Sequence, residues 1–259
     1  MVGRGLGLVG GTSAIGRPSR RGLLAVVVTT VCAVAFGPVG SAQASTVVAL
    51  WNMNEAPGST VLVDSGPNHL NGTIGTSITL NGAVHSFPQV QRGFNNATLD
   101  PEHLDVINDP RTNPGTSDFK VTARIKIAKP SDAFGNVMQK GQTGAPTGFW
   151  KMELDGPTRG LVFCGFRSIV NGVTTNGGIR SPINVADNQW HIVTCERGPG
   201  FVSTTVDGHV TTQINHPTGA ITNNVPLTIG GKLNCTAATL NHDCDYFVGQ
   251  IDYVQIQTG

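Results

Sequence analysis

From Ser45 onward, glycine and proline interrupt the chain roughly every 8 to 12 residues, and short runs rich in Val, Ile, Thr and Phe lie between them. No stretch there carries the 3.6-residue apolar period of a helix, so the punctuation leaves an all-β fold. STVVALWNMN, FKVTARIKI, FWKMELD, GLVFCGF, WHIVTCE, GFVSTTVDGHVTTQI and YFVGQIDYVQI read as strands or hairpin arms. Asp207-Gly208, between VSTTV and HVTTQ, is the clearest turn, because Asp-Gly readily takes the positive φ angles of a type I′ hairpin. In the last strand Phe247, Gly249 and Ile251 share one face while Val254 and Ile256 fall on the other. A bulge near Asp252-Tyr253 would return all of them to the core. No linker, repeat or low-complexity tract divides the region, so residues 46–259 are expected to form one two-sheet antiparallel β-sandwich.

The N-terminal stretch GLGLVGGTSAIGR fits G-x-G-x-x-G at Gly5, Gly7 and Gly10, a pattern that can cradle a dinucleotide pyrophosphate. That use requires a strand before the glycines and an acidic residue about 20 positions on. Only MVGR precedes them, and the first acidic residue is Glu55. After the glycines come a basic segment with Arg20-Arg21, an apolar run to Phe36 that includes Cys32, and Ala42-Gln43-Ala44, the three parts of a secretory signal. Residues 1–44 are therefore read as a signal peptide, cleaved after Ala44, that directs the protein out of the cell by the Sec or the twin-arginine route. The apolar run is too short for a permanent membrane span. Its removal takes four Arg and no carboxylate, leaving 13 Lys+Arg against 16 Asp+Glu, a net charge of −3. No basic stripe remains for a phosphate backbone, so nucleic acid is not an expected partner.

Four cysteines remain, an even number that reads as two disulfides in an exported chain. Cys164 and Cys195 sit in strand-like runs where neighbours come close, and Cys235 with Cys244 would close the loop NCTAATLNHDC. The competing reading of that loop, zinc held with His242, is disfavoured because paired metal-ligating cysteines usually stand two to four residues apart.

Several landmarks stand in order along the chain: LWNMNE, VDSGPNHLNGT, SDFKVTARIK, NVMQKG, DNQWHIVTCERG, VDGHV, PLTIGGK and FVGQIDYVQI. Together they resemble the laminin G-like domains of the concanavalin A-like lectin/glucanase superfamily, with Asn54 departing from the Asp that usually stands in the first landmark. The resemblance implies a jelly roll that binds glycans or proteins. It also implies a possible structural calcium where the first and last strands meet, with oxygens from Asn54, Glu55, Asp64 and Asp252. Trp51 and Trp190 are implied to pack the core or a sheet.

Glucanases of this superfamily carry their carboxylates on one strand as E-x-D-x-x-E, so that alternate side chains face the cleft. The nearest match here begins Glu153-Leu154-Asp155 but has Thr158 where the second Glu belongs. Hydrolysis by that mechanism is not expected, and Glu153 and Asp155 are placed on the solvent face of a strand. His191 is read as a structural histidine, since no nucleophile motif accompanies any His. Trp150, beside a glycine-rich loop, is read first as a packing residue, and it is also the candidate carbohydrate-binding residue if it stacks on a sugar ring. The expected function is a secreted binding module for extracellular carbohydrate; the alternatives are a cell-surface protein-interaction module and, more weakly, a glycoside hydrolase-like enzyme.

Overall fold

The computed structural model describes residues 45–88, 105–128, 134–142, 147–155, 160–232 and 245–259. The signal segment, Thr158, Cys235, His242 and Cys244 lie outside them. Among the described residues, two eight-stranded antiparallel sheets form the domain. The first runs β14 (His209–Ile214), β13 (Phe201–Val206), β12 (Trp190–Gly198), β7 (Phe119–Lys126), β16 (Gly249–Thr258), β5 (His85–Phe87) and β4 (Thr79–Leu80), with β1 (Thr46–Trp51) also paired to β16. The second runs β11 (Val173–Asn184), β10 (Leu161–Val170), β9 (Phe149–Asp155), β8 (Gly135–Lys140), β15 (Leu227–Ile229), β6 (Asp105–Ile107), β3 (Gly72–Thr73) and β2 (Val61–Leu62).

Period-two patterning builds the core between these layers. In β7 every second residue is buried, from Phe119 through Val121 and Ala123 to Ile125. Side chains alternate across a strand, so that arrangement sends Lys120, Thr122, Arg124 and Lys126 to the outer face. Phe119 meets Trp150 at 5.1 Å and Phe166 at 6.5 Å between ring centroids, joining the two sheets. Burying each such large side chain stabilises the fold by about 1.5–3 kcal/mol.

The expected turn and bulge are both present. Asp207 and Gly208 have φ of 48° and 83° between β13 and β14. Register slips between Ile251 and Tyr253, making Asp252 the extra residue, and Ile251, Val254 and Ile256 are all buried. Cys164 of β10 and Cys195 of β12 form a disulfide that joins the two sheets, with Cα atoms 5.3 Å apart.

A second tie between the sheets is ionic. His85 of β5 places Nδ1 at 2.9 Å from Asp105 of β6 and Nε2 at 2.8 Å from Glu55. His85 and Asp105 are 0% exposed and Glu55 is 8% exposed. Burial pulls the His85 imidazolium down, but bonds and charge from Asp105 and Glu55 outweigh it and raise its pKa to about 9.

Candidate functional site

An open cleft of about 930 Å³ lies where three connections meet: Pro110–Gly115 between β6 and β7, Thr147 before β9, and Thr222–Val225 between β14 and β15. Its lining comprises two prolines, three asparagines, two threonines, a glycine and a valine, with no charged side chain. Such a surface offers amide and hydroxyl hydrogen bonds beside flat apolar patches, and its size suits a small organic ligand or a few sugar rings.

The walls are built to hold their shape. Asp109 caps the short 3-10 turn Pro110–Thr112 by accepting from the Arg111 backbone N–H at 2.8 Å. Proline at the first position loses nothing there, because its missing N–H would have no partner within the turn. The Asn113 amide donates to the Asn223 carbonyl at 2.9 Å, and the Asn223 N–H donates back to Asn113 Oδ1 at 3.1 Å. The Asn223 side chain also donates to the Gly148 carbonyl at 3.2 Å and accepts from the Val225 N–H at 3.0 Å. One residue therefore links all three segments. Reciprocal backbone bonds between Gly115 and Ile221, at 3.0 and 2.9 Å, close the base.

Two buried cations support the walls. Lys140, at the end of β8, donates to the Val225 carbonyl at 2.7 Å. Arg197 of β12 donates to Gly115, Ser117 and Gly219 carbonyls at 2.6–2.9 Å and to Thr218 Oγ1 at 3.0 Å. Both residues are 2% exposed. Burial lowers the Lys140 ammonium to about 8 and the Arg197 guanidinium to about 10, opposed only weakly by the charges of Asp109 and Asp118 respectively.

Trp150 takes the packing reading, and its candidacy for stacking on a sugar is corrected. It is 0% exposed, packs on Phe119 and donates its indole N–H to the Thr112 carbonyl at 3.2 Å. It supports the cleft from below and has no free face for a sugar. Trp51 is likewise buried, its indole donating to the Leu70 carbonyl. Trp190 lies half-buried on the outer face of the first sheet, with Arg124 4.6 Å above its ring.

Glu153 and Asp155 also differ from expectation. They share the outer face of β9, but they are 3% and 7% exposed rather than solvated. Lys151 bonds Glu153 at 2.5 Å, and Arg180 holds Asp155 while stacking over Phe163. Burial raises the Glu153 pKa against the opposing charge of Lys151.

The four residues expected to hold calcium do not form one site. Asp64 accepts backbone N–H groups of Leu50, Gly66 and Leu70, Glu55 is bound to His85 and the Val63 N–H, and Asp252 pairs with Arg124 at 2.5 Å. Asn54 is exposed. Each of the three carboxylates is thus engaged by a different set of donors. Among the described residues, no three acidic, His or Cys side chains form a group that could hold a metal ion.

His191 has the structural role expected of it, held by Asp207 at 2.6 Å and Asp187 at 2.9 Å. Asn223, Lys140, Arg197, His85 and Asp105 were not singled out by sequence reasoning. Among the described residues no helix is long and apolar enough to cross a membrane.

A family model described as "Concanavalin A-like lectin/glucanases superfamily", of laminin G type, matches residues 102–259. Domain 4 of AbnA, an extracellular GH43 arabinanase from Geobacillus stearothermophilus, solved with arabinotriose, is 15% identical with TM-score 0.53, covering 83% of this chain and 93% of that one. A mutant of HCR/D is 11% identical with TM-score 0.52, covering 82% and 48%. The binding domain of botulinum neurotoxin DC, solved with rat synaptotagmin II, is 12% identical with TM-score 0.50, covering 82% and 46%. The chain thus spans about half the length of the last two. At these identities the likeness is one of fold, a two-sheet jelly roll. A search of the curated proteins returns no match.

Proposed function

Because the chain belongs to the laminin G type of the concanavalin A-like lectin/glucanase superfamily, we propose that it is a secreted, non-catalytic module that binds extracellular carbohydrate in the cleft between Pro110–Gly115 and Thr222–Val225. The observation that carries this reading is the cleft itself: an open site walled by amides, hydroxyls and prolines and held rigid by Asn113 and Asn223. Preorganised polar groups bind sugars well because little order is lost on binding. The arabinotriose complex of AbnA domain 4 couples the same fold to a saccharide. A non-catalytic role is supported by Glu153 and Asp155, which are covered and ion-paired instead of standing free in a cleft. Secretion is supported by the signal pattern of residues 1–44.

The test is a polysaccharide and glycan-array screen of the oxidised protein, alongside Asn223→Ala. Saturable binding by the wild type, weakened about tenfold or more in a folded Asn223→Ala variant, is the expected result. A folded wild type that binds no glycan would move the function to a protein partner. For that second reading the favouring observation is the outer face of the first sheet, where Ile192, Val210 and Ile214 are exposed by 45%, 64% and 69%.

A further inference from the structure

The carbohydrate reading of the cleft can be narrowed by the charges beneath it. Lys140 and Arg197 are both buried, and each grips a wall of the cleft: Lys140 at Val225, Arg197 at Gly115. Lys140 donates to a backbone carbonyl, and Arg197 donates to the carbonyls of Gly115, Ser117 and Gly219 and to the Thr218 hydroxyl. Every one of these acceptors is uncharged, and among the described residues neither cation is bonded to a carboxylate. Asp109, whose charge reaches Lys140, is already engaged by Arg111 at 2.7 Å. Asp118 acts on Arg197 through charge alone.

A buried charge without a bonded counter-charge is weakly screened, so its field extends through the low-dielectric protein into the neighbouring cleft. The lining adds no acid to cancel it. Thr147, Thr222 and Asn224 line the same cleft and have side chains that make no hydrogen bond among the described residues, leaving neutral donors free for an incoming oxygen. The site therefore combines a positive potential from below with uncommitted donors at its surface.

We propose that the saccharide bound in this cleft carries a carboxylate, as uronic and sialic acids do, and that Lys140 and Arg197 favour it through their field while the neutral walls make the contacts. This rests on the carbohydrate reading of the cleft and deepens it. Burial lowers the pKa of both cations, and a bound anion would oppose that shift. Lys140 and Arg197 are positioning residues in this arrangement, since they hold the walls and are not themselves in the lining.

The experiment measures binding of the oxidised full chain to a panel of uronic- and sialic-acid oligosaccharides, each paired with its carboxyl-reduced counterpart, at low and at high salt. The expected result is an acidic member held about tenfold or more tightly than its reduced partner at low salt, an advantage that shrinks as salt rises. Lys140→Met, which removes the buried ammonium while keeping most of its volume, should narrow that gap to about threefold or less, the gap being read as a ratio so that any change in wall geometry acts on both partners alike. Lys120→Met, which removes a cation on the outer face of the other sheet, should leave the gap unchanged. Equal binding of acidic and reduced partners, or preference for the reduced one, overturns the charge inference and leaves carbohydrate binding standing. No binding to either class by the folded wild type overturns both. The salt response of the wild type decides the matter even where Lys140→Met fails to fold.

Discussion

Two of the described histidines stand between pairs of carboxylates, and the contrast between them shows what burial does to identical chemistry. His85 lies inside the sandwich, between Glu55 and Asp105, and bonds β5 of one sheet to β6 of the other. His191 lies at the rim of a single sheet, where it ties the turn before β12 to the hairpin turn after β13. The side chains of Asp187 and Asp207 are 50% and 44% exposed, so water shares their charge. Both histidines are pushed toward the charged form by their carboxylates in spite of burial. At His85 the bonds span two layers across a buried interior; at His191 the same bonds orient turns that solvent already stabilises.

The contrast can be broken by substitution. His85→Leu removes the central cation and leaves two buried carboxylates facing each other, which should lower unfolding free energy by about 3–5 kcal/mol in a denaturant titration. A loss as small as that of a rim substitution would mean the buried network is not a tie between sheets.

It can be sharpened by pH. The folded pKa of His85, about 9, stands above its ordinary value of 6.5. A raised pKa contributes stability that is complete below about pH 6.5 and is lost as pH climbs through about 9, on the order of 3 kcal/mol. On the acid side Glu55, whose pKa is lowered despite burial, loses its contribution as pH falls. Thermal melts across this range should therefore fall on the alkaline side in the wild type and in His191→Gln, and flatten in His85→Gln. An unchanged alkaline slope in His85→Gln would assign the loss to another group.

The smallest effect is expected at the rim. His191→Gln should cost less than about 1 kcal/mol, and the cost should fade in high salt because exposed pairs are screened. A salt-independent loss would show that the rim pair is more enclosed than its exposed carboxylates imply.

Much of the fold was legible from local pattern. Asp207-Gly208 required positive φ, Cys164 and Cys195 lay in strand runs that the sandwich brings together, and the apolar order around Asp252 demanded a bulge. Alternation along FWKMELD favours the packing reading of Trp150, since it groups that residue with Met152 and Leu154, both buried. The site was harder to see because its bonds are not local. Asn113 and Asn223 are 110 residues apart, and His85 meets partners 20 and 30 residues away. Lys140 looks like any strand-end lysine; only its neighbours across β8, Trp150 and Leu227, place it on the buried face. The calcium expectation came from the family resemblance, and a resemblance cannot tell which donors each carboxylate has already taken.

The pairing of β16 sets a condition on how the domain comes into being. This strand lies between β1 and β7 and continues to β5, with Thr46 opposite Thr258 and Gln257 opposite Lys120. The first sheet therefore lacks an inner member until residues 249–258 have been synthesised, and the strand that β1 pairs with is absent until then. Contacts of such long sequence separation slow folding, because the loop must close before any bond rewards it. The first sheet can be completed only after its last strand has been made, with β1 waiting for β16.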